Sequence, residues 1–266
     1  MLSIPTLAGR FPFRLGTTSF IVPADMETNV RLSASTVDDI ELLFFESHEV
    51  SDLPTKETIR TLKAIARRTD LSFTIHLPLD CRLGHPDKNE RDRSKDKCLR
   101  IMDLTAPLDP FAFVLHLRGD RDGPEPIDDV PNLQARLFDT LGGILARQTD
   151  PARVCIENLD YPFEQVTPIA EALGMSLCLD IGHILMGGCS MDDYLKLYLG
   201  RARVVHLHGV RQHRDHRAIT FLPNGLLNHL FAMLVRDAAV ERVVTLEVFN
   251  EADLIDSAGA MEALIQ

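Results

Sequence analysis

Eight short runs of apolar and β-branched residues recur along this chain, separated by stretches with helical periodicity. That alternation limits the fold more than any other feature. The runs are Arg14–Thr18, Ile40–Phe45, Ser72–Leu77, Phe113–Leu117, Val154–Glu157, Ser176–Asp180, Val204–His208 and Val243–Glu247. Several are apolar throughout rather than alternating, as parallel strands covered on both faces require. Between them, Thr55–Arg68, Asn132–Arg147, Met191–Leu199, Gly225–Asp237 and Glu251–Gln266 read as amphipathic helices. In the first of these, Ile59, Leu62, Ile65 and Ala66 share one face, and Lys56, Arg60, Lys63 and Arg67 share the other. Eight such alternations in 266 residues predict an α/β fold, a (β/α)8 TIM barrel forming one domain over residues 1–266. A doubly wound sheet is the alternative, but no GxGxxG turn follows the first run.

Two segments read as loops beyond strand ends, on the face where barrels carry function. Residues 82–100 are dense in both charge signs and read as a loop with a solvated helix start. Residues 118–131 hold two glycines and three prolines, which excludes a helix interior.

The ends of the runs carry the chemistry. His76 lies near the end of the third, His116 near the end of the fourth, and Glu157 closes the fifth. Asp180 closes the sixth, with His183 three residues on, His206 and His208 end the seventh, and Glu247 ends the eighth. A lone strand-end His or Glu is ordinarily a hydrogen-bonded cap. Six strands in succession are another matter, because charges crowded at one barrel mouth cost several kcal/mol without a cation. Mixed imidazole and carboxylate donors favour a divalent transition metal, zinc or manganese above magnesium or calcium. The number of donors predicts two or three ions, the apparatus of in-line displacement at phosphorus.

Other residues leave alternatives open. His206, His208, His213 and His216 fall within eleven residues, and beyond His206 they are either a third metal site with substrate contacts or a solvated loop. Arg118 and Arg121 are either a phosphate clamp or a solvated pair. Glu41 and Glu46 flank the second run, with Glu41 either facing the barrel interior or making a salt bridge. Thr17, Thr18 and Ser19 either line the pocket or bond the turn.

Composition narrows the partners. The net charge of -11 opposes binding to a polyanion, so no nucleic-acid partner is expected. With no Trp and three Tyr, a stacking platform for single strands is disfavoured. No apolar run reaches the roughly 20 residues of a membrane span, and the N-terminal stretch lacks the pattern of a secretory signal, so the expected location is cytoplasmic. The five cysteines are scattered with no CxxC pair, which argues against a disulfide framework and a thiolate zinc site.

With these residues in view, Glu157-Asn158, Asp180-Ile181-Gly182-His183, His206 and Glu247 resemble the metal-site strands of the xylose-isomerase-like barrels, a superfamily that includes the endonuclease IV group. Within it, the stretch Arg14–Asp25, followed by Val37–Leu42, resembles the cobamide-remodelling phosphodiesterases of CbiR type. That resemblance implies hydrolysis of the nucleotide-loop phosphodiester of a small-molecule corrinoid, giving α-ribazole and cobinamide phosphate. The endonuclease IV pattern implies that His76, His116 and Glu157 hold one ion. It further implies that Glu157 bridges to a second ion held by Asp180, His206 and Glu247, and Glu157 and Glu247 are read here as the catalytic carboxylates. A third ion would fall to His183 with a later Asp-x-His pair, for which this chain offers His216; Arg118, Arg121, His208 and His213 are read from their positions alone as substrate contacts. The sequence departs from the pattern here, offering adjacent Asp215 and His216 where Asp-x-His is expected. The rival activities are a sugar isomerase or epimerase, needing only Glu157, Asp180, His206 and Glu247 around one ion, and an abasic-site endonuclease. A non-catalytic corrinoid carrier would leave the many donors unexplained.

Overall fold

The computed structural model describes residues 4–45, 51–122 and 129–266. Eight parallel strands close into a barrel: β1 (Arg14–Thr18), β2 (Asp39–Leu43), β3 (Ser72–His76), β4 (Ala112–Leu115), β5 (Val154–Glu157), β6 (Ser176–Asp180), β7 (Ala202–Leu207) and, after a hairpin of two strands, β10 (Val243–Leu246). Neighbours follow chain order, and β1 seals the ring by pairing β2 on one side and β10 on the other, with Arg14 opposite Val243 and Gly16 opposite Thr245. The expected strands are all present, three with the expected bounds and the others differing by one or two residues at one or both ends. His116, His208 and Glu247 lie just beyond the ends of their strands.

Helices cover the outside: α1 (Met26–Ser33), α2 (Lys56–Thr69), α3 (Lys88–Thr105), α4 (Val130–Leu145), α5 (Thr167–Ala172), α6 (Ile181–Met186), α7 (Met191–Tyr198), α8 (Leu226–Arg236) and α9 (Glu251–Ala263). Each of α2 and α9 begins where a side chain accepts an orphan N–H, from Thr58 to Thr55 and from Asp253 to Asn250. The charged segment 82–100 is mostly helix: α3 buries Ser94, Cys98, Ile101 and Met102 on one face and leaves the charges outside. Its narrow apolar stripe is why composition concealed it. The glycine–proline centre of the other loop, residues 123–128, and Glu46 lie outside the described residues.

Apolar side chains between barrel and helices make the main core, while Ala112, Val114, Cys155, Cys178, Val204 and Val243 form a separate buried cluster. These are alternate strand positions, so they share the barrel interior. Two residues further along the same columns come His116, Glu157, Asp180, His206 and Thr245. Strand alternation thus puts an apolar plug below and the polar groups directly above it. Cys81, Cys98, Cys155 and Cys178 are buried free thiols, and Cys189 is exposed. Among the described residues no helix is long and apolar enough to cross a membrane.

Candidate metal centre

Glu157, 1% exposed, sits at the middle of the floor. Its Oε2 lies 3.3 Å from His76 Nε2 and 3.0 Å from His116 Nε2. Its Oε1 lies 3.2 Å from His183 Nδ1 and 3.7 Å from His206 Nδ1. One carboxylate therefore turns its two oxygens to two different pairs of imidazoles. Asp180 and Glu247 complete the second side: His206 Nδ1 is 3.7 Å from Asp180 Oδ2 and 3.2 Å from Glu247 Oε2.

Asn158 joins the ends of β5 and β6. Its Oδ1 accepts from the Asp180 N–H at 2.7 Å, and its Nδ2 donates to the Asp180 carbonyl at 3.0 Å. Asp180 then caps α6 by accepting the His183 N–H at 2.6 Å, and the His183 ring contacts the Asn158 carbonyl at 3.0 Å. The sequence Glu157-Asn158 thus supplies both a central carboxylate and the brace for the next strand.

Past β7, the expected loop is a hairpin of β8 (Gly209–Arg211) and β9 (Arg214–Arg217). Its turn residues Gln212 and His213 both take left-handed backbone, at φ 54° and 58°, as a tight two-residue hairpin demands. The hairpin folds His216 back over the floor, where its N–H donates to His208 Nδ1 at 2.9 Å and its ring Nδ1 lies 3.5 Å from Glu247 Oε2. Potential donor atoms of His183, His208 and His216 fall within 4.8 Å of one another.

Burial and crowding shape the charges. For Glu157, burial opposes ionisation, but the charges of His116 and His206 hold its carboxyl well below the usual range. Glu247 is similarly held down to about 2 by His206 and His216 against burial. Burial would lower His76, yet the hydrogen bond to Glu157 and the charges of Glu41 and Glu157 push it up to about 9. Its neighbour His116 goes the other way, lowered chiefly by burial.

The donors fit a cation. His206 Nδ1, Glu247 Oε2 and Glu41 Oε1 are buried and make no hydrogen bond with a described residue, a costly arrangement for three polar atoms unless something else binds there. Nitrogen and carboxylate oxygen together suit a divalent transition ion.

The remaining expected residues divide. Arg118 lines the cavity, but its guanidinium is engaged by Asp160 at 2.7 Å and Asp122 at 3.5 Å. Arg121 and His213 are exposed and stand apart from the cavity lining. His208, expected to face substrate, is instead fully buried, with Nε2 3.1 Å from Asp180 Oδ2. Thr17 and Thr18 donate to the carbonyls of Leu246 and Val248, and Ser19 accepts the Leu43 N–H. These three tie the end of β1 to its neighbouring strands rather than lining the cavity or bonding their own turn. Glu41 faces the interior, with Oε2 2.9 Å from His206 Nε2.

Sequence reading missed the walls. Above the floor opens a cavity of about 650 Å³, lined near its mouth by Phe20, Phe45, Leu79, Met186 and Phe249. These five side chains are 38–50% exposed. Four of them follow strand ends by two or three residues, a signal available in the sequence and hidden by the short loops around it.

A search of curated proteins finds no match by sequence. Among solved structures, a D-tagatose 3-epimerase-like protein superposes with TM-score 0.74 at 17% identity, covering 95% of this chain and 97% of the other. The 3-keto-D-glucoside 4-epimerase YcjR of E. coli gives TM-score 0.71 at 16% identity, covering 95% and 98%. Endonuclease IV of Thermus thermophilus gives 0.67 at 16% identity, covering 94% and 99%. At such identities the likeness is one of fold. The profile of one family, however, matches residues 31–265, and with nearly the whole chain matched, this protein belongs to the xylose isomerase-like TIM barrel family.

Proposed function

We propose that the protein is a metal-dependent phosphodiesterase acting on the nucleotide-loop phosphodiester of cobamides, releasing α-ribazole and leaving cobinamide phosphate. The observation that carries this reading is Glu157, whose two oxygens face two separate pairs of imidazoles. A single-ion sugar epimerase needs only Glu157, Asp180, His206 and Glu247 as ligands, and would leave His76 and His116 on the other side of that carboxylate as contacts for sugar hydroxyls. A centre of two or more ions uses them as ligands, since Glu157 would hold both. His76 and His116 would complete one ion, and Asp180, His206 and Glu247 the other. His183 and His216, with Asp215 on the cavity wall, supply further donors. Bound divalent ions of this kind lower the pKa of water toward neutrality and neutralise charge gathering on a phosphate.

The chain's own residues do the rest. Glu157, Asp180 and Glu247 stay ionised at neutral pH, holding the floor negative enough to retain cations. The apolar wall excludes water from the scissile bond and takes up non-polar parts of a substrate. That wall favours a corrinoid over a free sugar, whose hydroxyls need polar partners, and Phe20 belongs to the stretch resembling the cobamide enzymes. A net charge of -11 disfavours a DNA substrate, while one phosphodiester needs only local neutralisation.

The deciding experiment is incubation with an intact cobamide and zinc or manganese, followed by chromatography. Release of the nucleoside with phosphate left on the corrinoid is expected. No cobamide cleavage, together with proton exchange on a ketose, would assign the protein to the epimerases, whose fold it shares. Incision of abasic DNA alone would assign it to repair.

A further inference from the structure

The floor histidines differ in which partner holds one of the two ring nitrogens. In a neutral imidazole one nitrogen carries the proton and the other the lone pair, so the partner of one decides what the other offers. His76 Nδ1 meets the Leu77 carbonyl at 2.9 Å, and His183 Nδ1 meets the Asn158 carbonyl at 3.0 Å. A carbonyl only accepts, so each of these rings keeps its lone pair on Nε2. His208 is wired in reverse. Its Nδ1 accepts the His216 N–H at 2.9 Å, which leaves a proton on Nε2 to donate to Asp180 Oδ2 at 3.1 Å. In that form His208 has no lone pair for a cation, and it serves to hold Asp180.

His206, two residues earlier in the chain, has a third arrangement. Its Nε2 lies 2.9 Å from Glu41 Oε2, so its far nitrogen is held by a carboxylate rather than by backbone. Its Nδ1 makes no hydrogen bond with a described residue and faces carboxylate oxygens of Glu247, Glu157 and Asp180 at 3.2, 3.7 and 3.7 Å.

We infer that Glu41 is a positioning residue that fixes the Nε2–H form of His206 and thereby presents Nδ1 as the ligand atom toward Asp180, Glu157 and Glu247. The inference rests on the metal-centre part of the reading above and is independent of the substrate. Glu41 is fully buried on β2, with Thr245 Oγ1 at 3.5 Å as its other polar neighbour. A buried carboxylate so sparsely partnered is expensive to keep for packing alone. It lies behind the ring, because Nε2 and Nδ1 point to different sides of an imidazole. Potential donor atoms of Glu41, His206 and Glu247 also fall within 4.8 Å of one another, so a cation bound through His206 Nε2 is the rival arrangement, and the nitrogen of His206 that bears hydrogen distinguishes the two. A carboxylate behind a ligating imidazole orients the ring and makes it more basic, and loss of such partners typically weakens metal binding about 10–100-fold.

The test uses the full chain loaded with zinc. Ion stoichiometry and affinity are measured by chelator competition for wild type, Glu41→Gln and Glu41→Ala, with circular dichroism to check folding. Long-range proton–nitrogen spectra of histidine-labelled wild type read which nitrogen of His206 bears hydrogen. The expected result is zinc on Nδ1 with hydrogen on Nε2 in wild type. Glu41→Ala should lose one ion about 10–100-fold more readily, and Glu41→Gln, which keeps an accepting oxygen, should fall between. Folded Glu41→Ala protein with wild-type stoichiometry and affinity would overturn the inference, as would wild-type His206 bound through Nε2. If Glu41→Ala does not fold, the wild-type spectrum and Glu41→Gln still decide. Wild-type protein that takes up no ion would instead remove the metal centre itself.

Discussion

Glu157 is buried beneath four imidazoles, and its value to the site lies in carrying a full negative charge to two neighbours at once. An amide of the same shape has one weaker acceptor and one donor, so Glu157→Gln should abolish turnover, by about a thousandfold or more if each step needs a properly held ion. Ion analysis of the folded variant should show loss of metal; normal turnover would exclude Glu157 from the centre. At the opposite end of the barrel, Asp39 reports a different burden. Burial pushes its carboxyl up to about 6, against a hydrogen bond from Ser72. The folded state thus binds a proton that the unfolded chain releases near 4, so stability is lost as pH rises from about 4 to 6. Asp39→Asn removes that loss: its advantage over wild type should be near zero at pH 4 and reach up to about 3 kcal/mol by pH 7. Urea unfolding at the two pH values measures it. Of these residues, the metal-capable ones are legible in the sequence because strand-end His, Asp and Glu stand out against apolar runs. Glu41 is ambiguous there because nothing in the sequence places its partner, 165 residues away.

The elements explain why some roles are hidden. Strand alternation is visible in sequence, and it aims His76, Glu157, Asp180 and His206 correctly at the interior. The β8–β9 hairpin is not visible. Its turn, Gln212-His213, lacks the Asn-Gly or Gly signals that mark two-residue hairpins, so the sequence suggests a histidine-rich loop with His208 facing substrate. Once the hairpin closes, His216 sits on His208 and turns that ring toward Asp180. The first turn of α6 completes the fit, since a Cβ at Gly182 would lie 1.9 Å from His208 Cε1. Gly182→Ala should therefore destabilise by about 1–3 kcal/mol, the usual cost of overpacking, and also weaken metal retention by displacing Asp180. Denaturant unfolding and chelator competition check the two effects, and a variant matching wild type in both would show that the helix shifts freely.

At the scale of the whole molecule, floor and wall divide the labour. Phe20 and Phe45 pack edge to face, with ring centroids 5.4 Å apart, on one side of the mouth, and Phe249 stands over His216 at 4.9 Å. If the wall holds the non-polar body of the substrate, Phe45→Ser or Phe249→Ser should raise KM for a cobamide about tenfold or more, from roughly 1.5–3 kcal/mol of lost burial. Turnover of a small dialkyl phosphodiester should be nearly unchanged, because the floor is intact. Equal loss on both substrates would mean that these side chains support the ions instead.

The closing seam between β1 and β10 has a kinetic consequence. It pairs residues 14–17 with 243–246, so most of the chain must be ordered before those hydrogen bonds can form, and such distant pairing is entropically slow. Glu247 follows the seam directly, and its backbone N–H reaches the Leu207 carbonyl. If β10 is the last strand to dock, it brings Glu247 with it, and the last carboxylate is then expected to arrive with ring closure, after His76, His116 and Glu157. In a refolding experiment, full ion uptake is then expected no earlier than closure of the barrel.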